Sequence, residues 1–200
     1  REDRRHIQDR DVEILRQTVR TVLNLEMALT DAMIAIAGRI GPDIATIVPE
    51  RRQEQTTERG LVVDDTQGLV SADRIARLSE AGIRVSLFIN AEEDIIRSSA
   101  EMGAHMVELH TGPYCNARGD DRRRELHILA RGAKLAGELG LAVAAGHGLS
   151  TFDVGPIAAL DEIEELNIGH SIVGRAVLRS EERRVGKRVD LGGRRIIKKK

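Results

Sequence analysis

The chain has 200 residues, enough for one well-cored domain and too few for two of ordinary size. A hydrophobic fraction of 41% beside 32% charged residues excludes a disordered chain, and no apolar run approaches the ~20 residues of a membrane helix. The formal net charge of −1 hides two unlike parts: Arg179 to Lys200 carries ten Lys/Arg against three Asp/Glu, leaving 21 basic and 29 acidic groups in the first 178 residues.

The first twenty residues, Arg1 to Arg20, are densely charged and unlike a signal peptide, and they open without methionine. A helix is expected from about Asp11. Val22–Met27 reads as a strand, Thr30–Ile40 as a helix and Ile44–Val48 as the next strand. Pro49–Val62 is charged, with two threonines and Gly60, and has the composition of a loop covering a site; a plain surface loop is the alternative. Ser71–Ala81 follows as a helix, then strands at Val85–Ile89 and Met106–Leu109, a longer helix over Arg122–Leu139, strands at Leu141–Ala144 and Leu166–Ile168, and a short helix at Ser171–Leu178.

Three junctions repeat, Glu80-Ala81-Gly82, Glu101-Met102-Gly103 and Glu138-Leu139-Gly140, each placing glycine where a helix stops and a strand begins. Six almost continuously apolar strands alternate with helices, which implies parallel strands joined by right-handed crossovers. The expected fold class is α/β, a (β/α)8 barrel lacking its first strand and most or all of its second, with the last helix replaced; a doubly wound open sheet is the alternative. Residues 1–178 form the expected barrel domain and 179–200 a basic tail, read as disordered or foreign to the fold.

In a barrel the chemistry sits at the carboxyl ends of the strands. Those ends carry Glu26, then Pro49-Glu50-Arg51-Arg52, Asn90, Glu108 with His110-Thr111-Gly112, Gly146-His147-Gly148 and Gly169-His170. A single acid there usually caps the next helix, but five strand ends with ionisable groups point to a shared site. Glu26 lies in an apolar run, surroundings that favour a proton-accepting carboxylate; an internal ion pair is the other reading. His147 stands between two glycines. Gly148 and Gly169 leave backbone N–H groups open to an anion, and both are expected to precede helices, whose amino ends favour negative charge. A phosphorylated small substrate follows.

His6 lies in a polar segment and by itself reads as a surface turn. The six histidines show no metal-ligand spacing, and one Tyr, two Phe and no Trp give no stacking platform for nucleic acid. A single cysteine, Cys115, excludes an intrachain disulfide and fits a reducing cytoplasm.

The ordered motifs Arg1-Glu2-Asp3-Arg4-Arg5-His6-Ile7, Asn24-Leu25-Glu26-Met27-Ala28, Pro49-Glu50-Arg51-Arg52-Gln53-Glu54 with Thr56-Thr57-Glu58, Glu108-Leu109-His110-Thr111-Gly112, Ala145-Gly146-His147-Gly148-Leu149 and Asn167-Ile168-Gly169-His170 with Gly174-Arg175-Ala176 resemble the pyridoxine 5'-phosphate synthase family, from Arg1 to about Leu178. The resemblance implies a (β/α)8 enzyme of vitamin B6 biosynthesis, needing no cofactor or metal and assembling as a homo-octamer. It would condense 1-deoxy-D-xylulose 5-phosphate with 3-amino-2-oxopropyl phosphate, giving pyridoxine 5'-phosphate, phosphate and water.

By the same resemblance Glu26 is the general base, His147 the proton donor and Glu108 an acid assisting the transition state. Arg1, His6 and Thr56 hold the deoxyxylulose phosphate, and Gly148, Gly169 and His170 the aminooxopropyl phosphate. Arg59 and Ala144 depart from the family's usual Gly and Asn. The family also has strands ahead of Arg1, one ending in a catalytic His, so this chain by itself is expected to be poorly active. Another phosphate-binding barrel enzyme is the alternative, though no strand-end lysine is placed for Schiff-base chemistry. A nucleic-acid binder with a basic tail is the non-enzymatic one.

Overall fold

The computed structural model describes residues 4, 6–49, 60, 61, 63, 70–178 and 195–197. In chain order these form α1 (Asp9–Thr18), β1 (Asn24–Met27), α2 (Asp31–Ile40), β2 (Ile44–Ile47), α3 (Ala72–Glu80), β3 (Arg84–Ile89), α4 (Glu93–Glu101) and β4 (Met106–His110). There follow α5 (Gly112–Asn116), α6 (Gly119–Glu138), β5 (Ala142–Gly146), α7 (Val154–Ala158), β6 (Ile163–Asn167), α8 (His170–Leu178) and β7 (Arg195–Ile197). Strands β1 to β6 are parallel and neighbour one another in chain order, so each helix returns the chain to the next strand of one curled sheet.

Local chemistry sets the boundaries. Thr30 and Ser71 cap α2 and α3, their hydroxyls accepting the backbone N–H of Met33 and Arg74. Gly82, Gly103 and Gly140 adopt the left-handed conformation anticipated at the helix-to-strand junctions, with φ of +77°, +83° and +80°.

The register separates the sheet into two faces. Ala45, Ile47, Val85, Leu87, Ile89, Val107, Leu109, Val143 and Ala145 share the face covered by helices, where they meet Ile75, Leu78, Ile96, Ala133 and Ala136 in one core. The residues between them point the other way. Asn24, Glu26, Thr46, Ser86, Phe88, Glu108, His110, Ala144, Gly146 and Asn167 line the inner face, with a small apolar floor of Ile44, Met106 and Ala144. The strands are therefore less uniformly apolar than the sequence suggests, because their inner positions serve a site.

Three differences from the sequence reading have local causes. Strand β6 begins at Ile163 rather than Leu166, because a register shift between Val143 and Ala144 leaves Glu164 exposed and turns Glu165 inward. The short helices α5 and α7 have too few residues for a periodic pattern. Strand β7, inside the basic tail, pairs antiparallel with β6 through Glu165↔Ile197, Leu166↔Ile196 and Asn167↔Arg195. The rest of 179–200 lies outside the described residues. Among the described residues no helix is long and apolar enough to cross a membrane.

Candidate active site

Strand β4 supplies the centre of the site. Glu108 points into the sheet's concavity, is 5% exposed and accepts a 2.7 Å hydrogen bond from Asn167 Nδ2 on β6. Burial pushes its pKa up to about 8; Glu26 and Glu165 add negative charge in the same direction, and the Asn167 hydrogen bond opposes it. Glu108 is therefore mainly a neutral acid near pH 7. Gly146 makes room for it, since a Cβ there would lie 2.2 Å from Glu108 Oε1.

Glu26, next to last in β1, lies on the same face and is exposed. The apolar enclosure expected around it is absent: the flanking apolar side chains point to the opposite face, and the carboxylate looks into the open concavity. His110, two residues beyond Glu108, is buried and stacks edge-on against Phe88 (5.1 Å) and His147 (5.0 Å). Burial and the neighbouring His147 push its pKa down to about 4.

His147 follows β5 with φ +75°, a left-handed conformation that costs a non-glycine residue on the order of 1 kcal/mol. The neighbouring loops hold it there. Thr111 N–H donates to Gly146 O (2.9 Å), and the Thr111 hydroxyl lies within hydrogen-bond distance of both Gly146 O (2.7 Å) and His147 O (2.6 Å). The loop beyond is tied down by Arg122, whose Nη2 reaches Asp153 Oδ1 (2.8 Å) and Tyr114 OH (2.9 Å). His147 itself is exposed, its backbone held and its ring at the mouth of the site.

Gly169 and His170 are exposed at the start of α8, which the Ser171 hydroxyl joins to the His147 loop by donating to Leu149 O (2.7 Å). The two glycine loops thus adjoin. Gly148, however, does not lead into a helix: a turn over Thr151–Asp153 intervenes, and α7 spans five residues. Gly169 alone precedes a helix of useful length. His6 is exposed ahead of α1, in a segment that Arg4 attaches to Met33 in the first turn of α2 (3.4 Å). Arg1, Thr56, Arg59 and most of the Pro49–Val62 loop lie outside the described residues. Gly60 and Leu61 return that loop to the end of β3, where Leu61 N–H donates to Phe88 O (2.8 Å).

Sequence reasoning placed Asn90, His110 and Thr111 at strand ends without giving them tasks, and it missed Asn167 as the partner of Glu108. The alternation of inward positions was the signal available for Asn167. Among the described residues no cluster of His, Cys, Asp and Glu is arranged to hold a metal. A cleft of about 390 Å³ lined by Gly137, Ala142, Asp161 and Glu164 opens at the opposite, amino end of the strands, away from this chemistry.

A family model described as pyridoxal phosphate biosynthesis protein PdxJ matches residues 1–191, running past Leu178 into the basic tail. A pyridoxine 5'-phosphate synthase of Geobacter sulfurreducens is 52% identical over 193 residues, 96% of this chain and 80% of that protein. The pyridoxine 5'-phosphate synthase of Thermosynechococcus vestitus is 57% identical over 180 residues, 89% of this chain and 75% of that one. Among solved structures, the PaMucR phosphodiesterase in complex with c-di-GMP superposes with a TM-score of 0.52 at 12% identity, over 76% of this chain and 64% of that one, a likeness of fold alone. The chain therefore belongs to the pyridoxal phosphate biosynthesis protein PdxJ family.

Proposed function

We propose that the protein is a pyridoxine 5'-phosphate synthase, condensing 1-deoxy-D-xylulose 5-phosphate with 3-amino-2-oxopropyl phosphate to pyridoxine 5'-phosphate, phosphate and water. The observation that carries this reading is the grouping of Glu26, Glu108 and the His110–His147 pair on the inner face, on or just after strands β1, β4 and β5 of one parallel sheet. The sequential order of six parallel strands supports assigning the sheet to a (β/α)8 barrel, with 1–178 as its catalytic domain.

Ring closure needs a proton removed beside a carbonyl and a proton delivered to each departing oxygen. Glu26, exposed and facing the concavity, is the base. His147, held at the mouth, is the proton donor. Glu108, neutral at pH 7, donates a hydrogen bond to oxygen as negative charge develops there, which an ionised carboxylate would repel. Gly148, Gly169 and His170 bind the aminooxopropyl phosphate, favoured by the amino end of α8. Arg1, His6 and Thr56 bind the deoxyxylulose phosphate.

Phe152 and Val177, 91% and 76% exposed, are apolar surface that assembly into the homo-octamer would cover; light scattering measures that mass. The single thiol, Cys115, agrees with a cytoplasmic setting. The decisive experiment follows phosphate release and pyridine-ring absorbance with both substrates. Glu26→Gln and His147→Asn should each lower kcat by about 10²–10⁴-fold. Wild-type rates in both variants would end this reading.

A further inference from the structure

The proposed reaction gives no task to one buried titratable group, His110. It is 5% exposed and lies between Phe88 and His147 on the inner face. Its Nδ1 faces Asn90 Oδ1 at 3.3 Å. The same oxygen accepts the backbone N–H of Gly60 (3.3 Å), while Asn90 Nδ2 reaches Glu92 Oε1 (3.4 Å). These partners orient the amide with its oxygen towards His110, so Nδ1 carries the ring proton. With its pKa pushed down to about 4 by burial, the ring is neutral at pH 7. Its Nε2 is then a bare lone pair, buried and without a hydrogen-bond partner among the described residues. Folded proteins rarely leave such an atom unpaired.

Gly112 and the His147 ring border the space beside this nitrogen. A Cβ on Gly112 would lie 2.5 Å from His110 Nε2 and 3.2 Å from His147 Cδ2. The bare α-carbon of Gly112 therefore lets two imidazole edges share one small space, with centroids 5.0 Å apart and planes inclined by 62°. An imidazole is nearly symmetric in shape, and a half-turn of the His147 ring exchanges Cδ2 with Nδ1. A ring N–H then stands where a C–H borders the space beside His110 Nε2.

We propose that His110 is a positioning residue: its Nε2 accepts a hydrogen bond from His147 Nδ1–H, in the neutral ring and in the imidazolium alike, so that His147 Nε2 is the nitrogen that takes up a proton and then delivers it to the substrate. The inference rests on the reading of His147 as the proton donor. The chain of bonds runs from His147 Nδ1–H to His110 Nε2, and from His110 Nδ1–H to Asn90 Oδ1. His110 remains neutral and passes no proton; it orients its neighbour, as the third member of a catalytic triad orients the base. Thr111, the next residue, holds the His147 backbone, so adjacent positions of one loop grip His147 at ring and carbonyl.

His110→Phe keeps a ring against Phe88 and removes the acceptor; His110→Gln keeps an acceptor. Long-range ¹⁵N–¹H correlations on histidine-labelled protein read the tautomer of neutral His147, and steady-state rates give kcat and KM. The expected result is a predominantly Nδ1–H His147 in the wild type, shifted towards Nε2–H in His110→Phe. That variant should lose about 10–100-fold in kcat, with KM within about twofold, and His110→Gln should recover part of the loss. An unchanged tautomer in folded His110→Phe overturns the proposal, whatever happens to kcat. Should that variant not fold, an Nε2–H His147 in the wild type overturns it equally. A shifted tautomer with undiminished turnover upholds the hydrogen bond and overturns instead the reading of His147 as proton donor.

Discussion

The two faces of the sheet are built from alternate residues of the same strands, yet they obey opposite rules. On the outer face Ala45, Leu87, Ile89, Val107 and Leu109 are fully buried aliphatic side chains that complement one another and the helices. On the inner face Glu108 is held neutral, His110 is a buried, neutral imidazole, and His147 takes a backbone conformation that disfavours a side chain. One face stabilises the fold; the other holds groups in states that water would not allow. A shift of one residue in register would exchange them, so the parity of each strand is the feature that function depends on.

The comparison breaks most visibly at Glu108. Its carboxyl has an ordinary value of 4.5 and a folded value of about 8. Between those values the unfolded chain loses the proton while the folded one keeps it, so stability is fully present below about pH 4.5 and declines until about pH 8. Glu108→Gln does not titrate, and its stability relative to wild type should improve by about 5 kcal/mol across that window. Urea denaturation at a series of pH values checks this; parallel curves would show that burial does not hold Glu108 neutral.

The outer face should respond without chemistry. Leu87→Ala removes a fully buried side chain and should cost about 3 kcal/mol at every pH, with turnover per folded molecule unchanged. Gly146→Ala tests the inner face by volume. Its Cβ would collide with Glu108 Oε1, and a loss of about 2 kcal/mol is expected together with a displaced Glu108–Asn167 hydrogen bond. The smallest effect has the opposite sign. His147→Gly relieves the φ of +75° and should gain about 1 kcal/mol in thermal unfolding while abolishing turnover. A destabilised His147→Gly would mean that the imidazole contacts outweigh the backbone strain.

Much of the site was legible because barrel-like strands announce their ends. Glu26, Glu108, His110, His147 and Gly169 stand directly after apolar runs, and the structure gathers Glu26, Glu108 and the two histidines on one face. Burial was not legible. Glu26 sits among apolar neighbours in sequence and faces the open concavity, because neighbours along a strand point to the other side. The tasks of Thr111, Asn167 and Arg122 were hidden for a different reason. Their partners Gly146, Glu108 and Asp153 lie 31 to 59 residues away, and hydrogen bonds of that span leave no local pattern.

The sequence by itself determined the alternation of strands and helices, the glycine junctions that end the helices, and the set of chemical groups at the strand ends. These follow from periodicity and backbone preference, which act within a few residues. The tertiary structure decided which of those groups are neutral, which are exposed, and which hold one another. It also placed Glu165 inward through a register shift, and set β7 against the edge of β6. Such properties depend on desolvation and long-range contacts, which exist only once the strands are side by side.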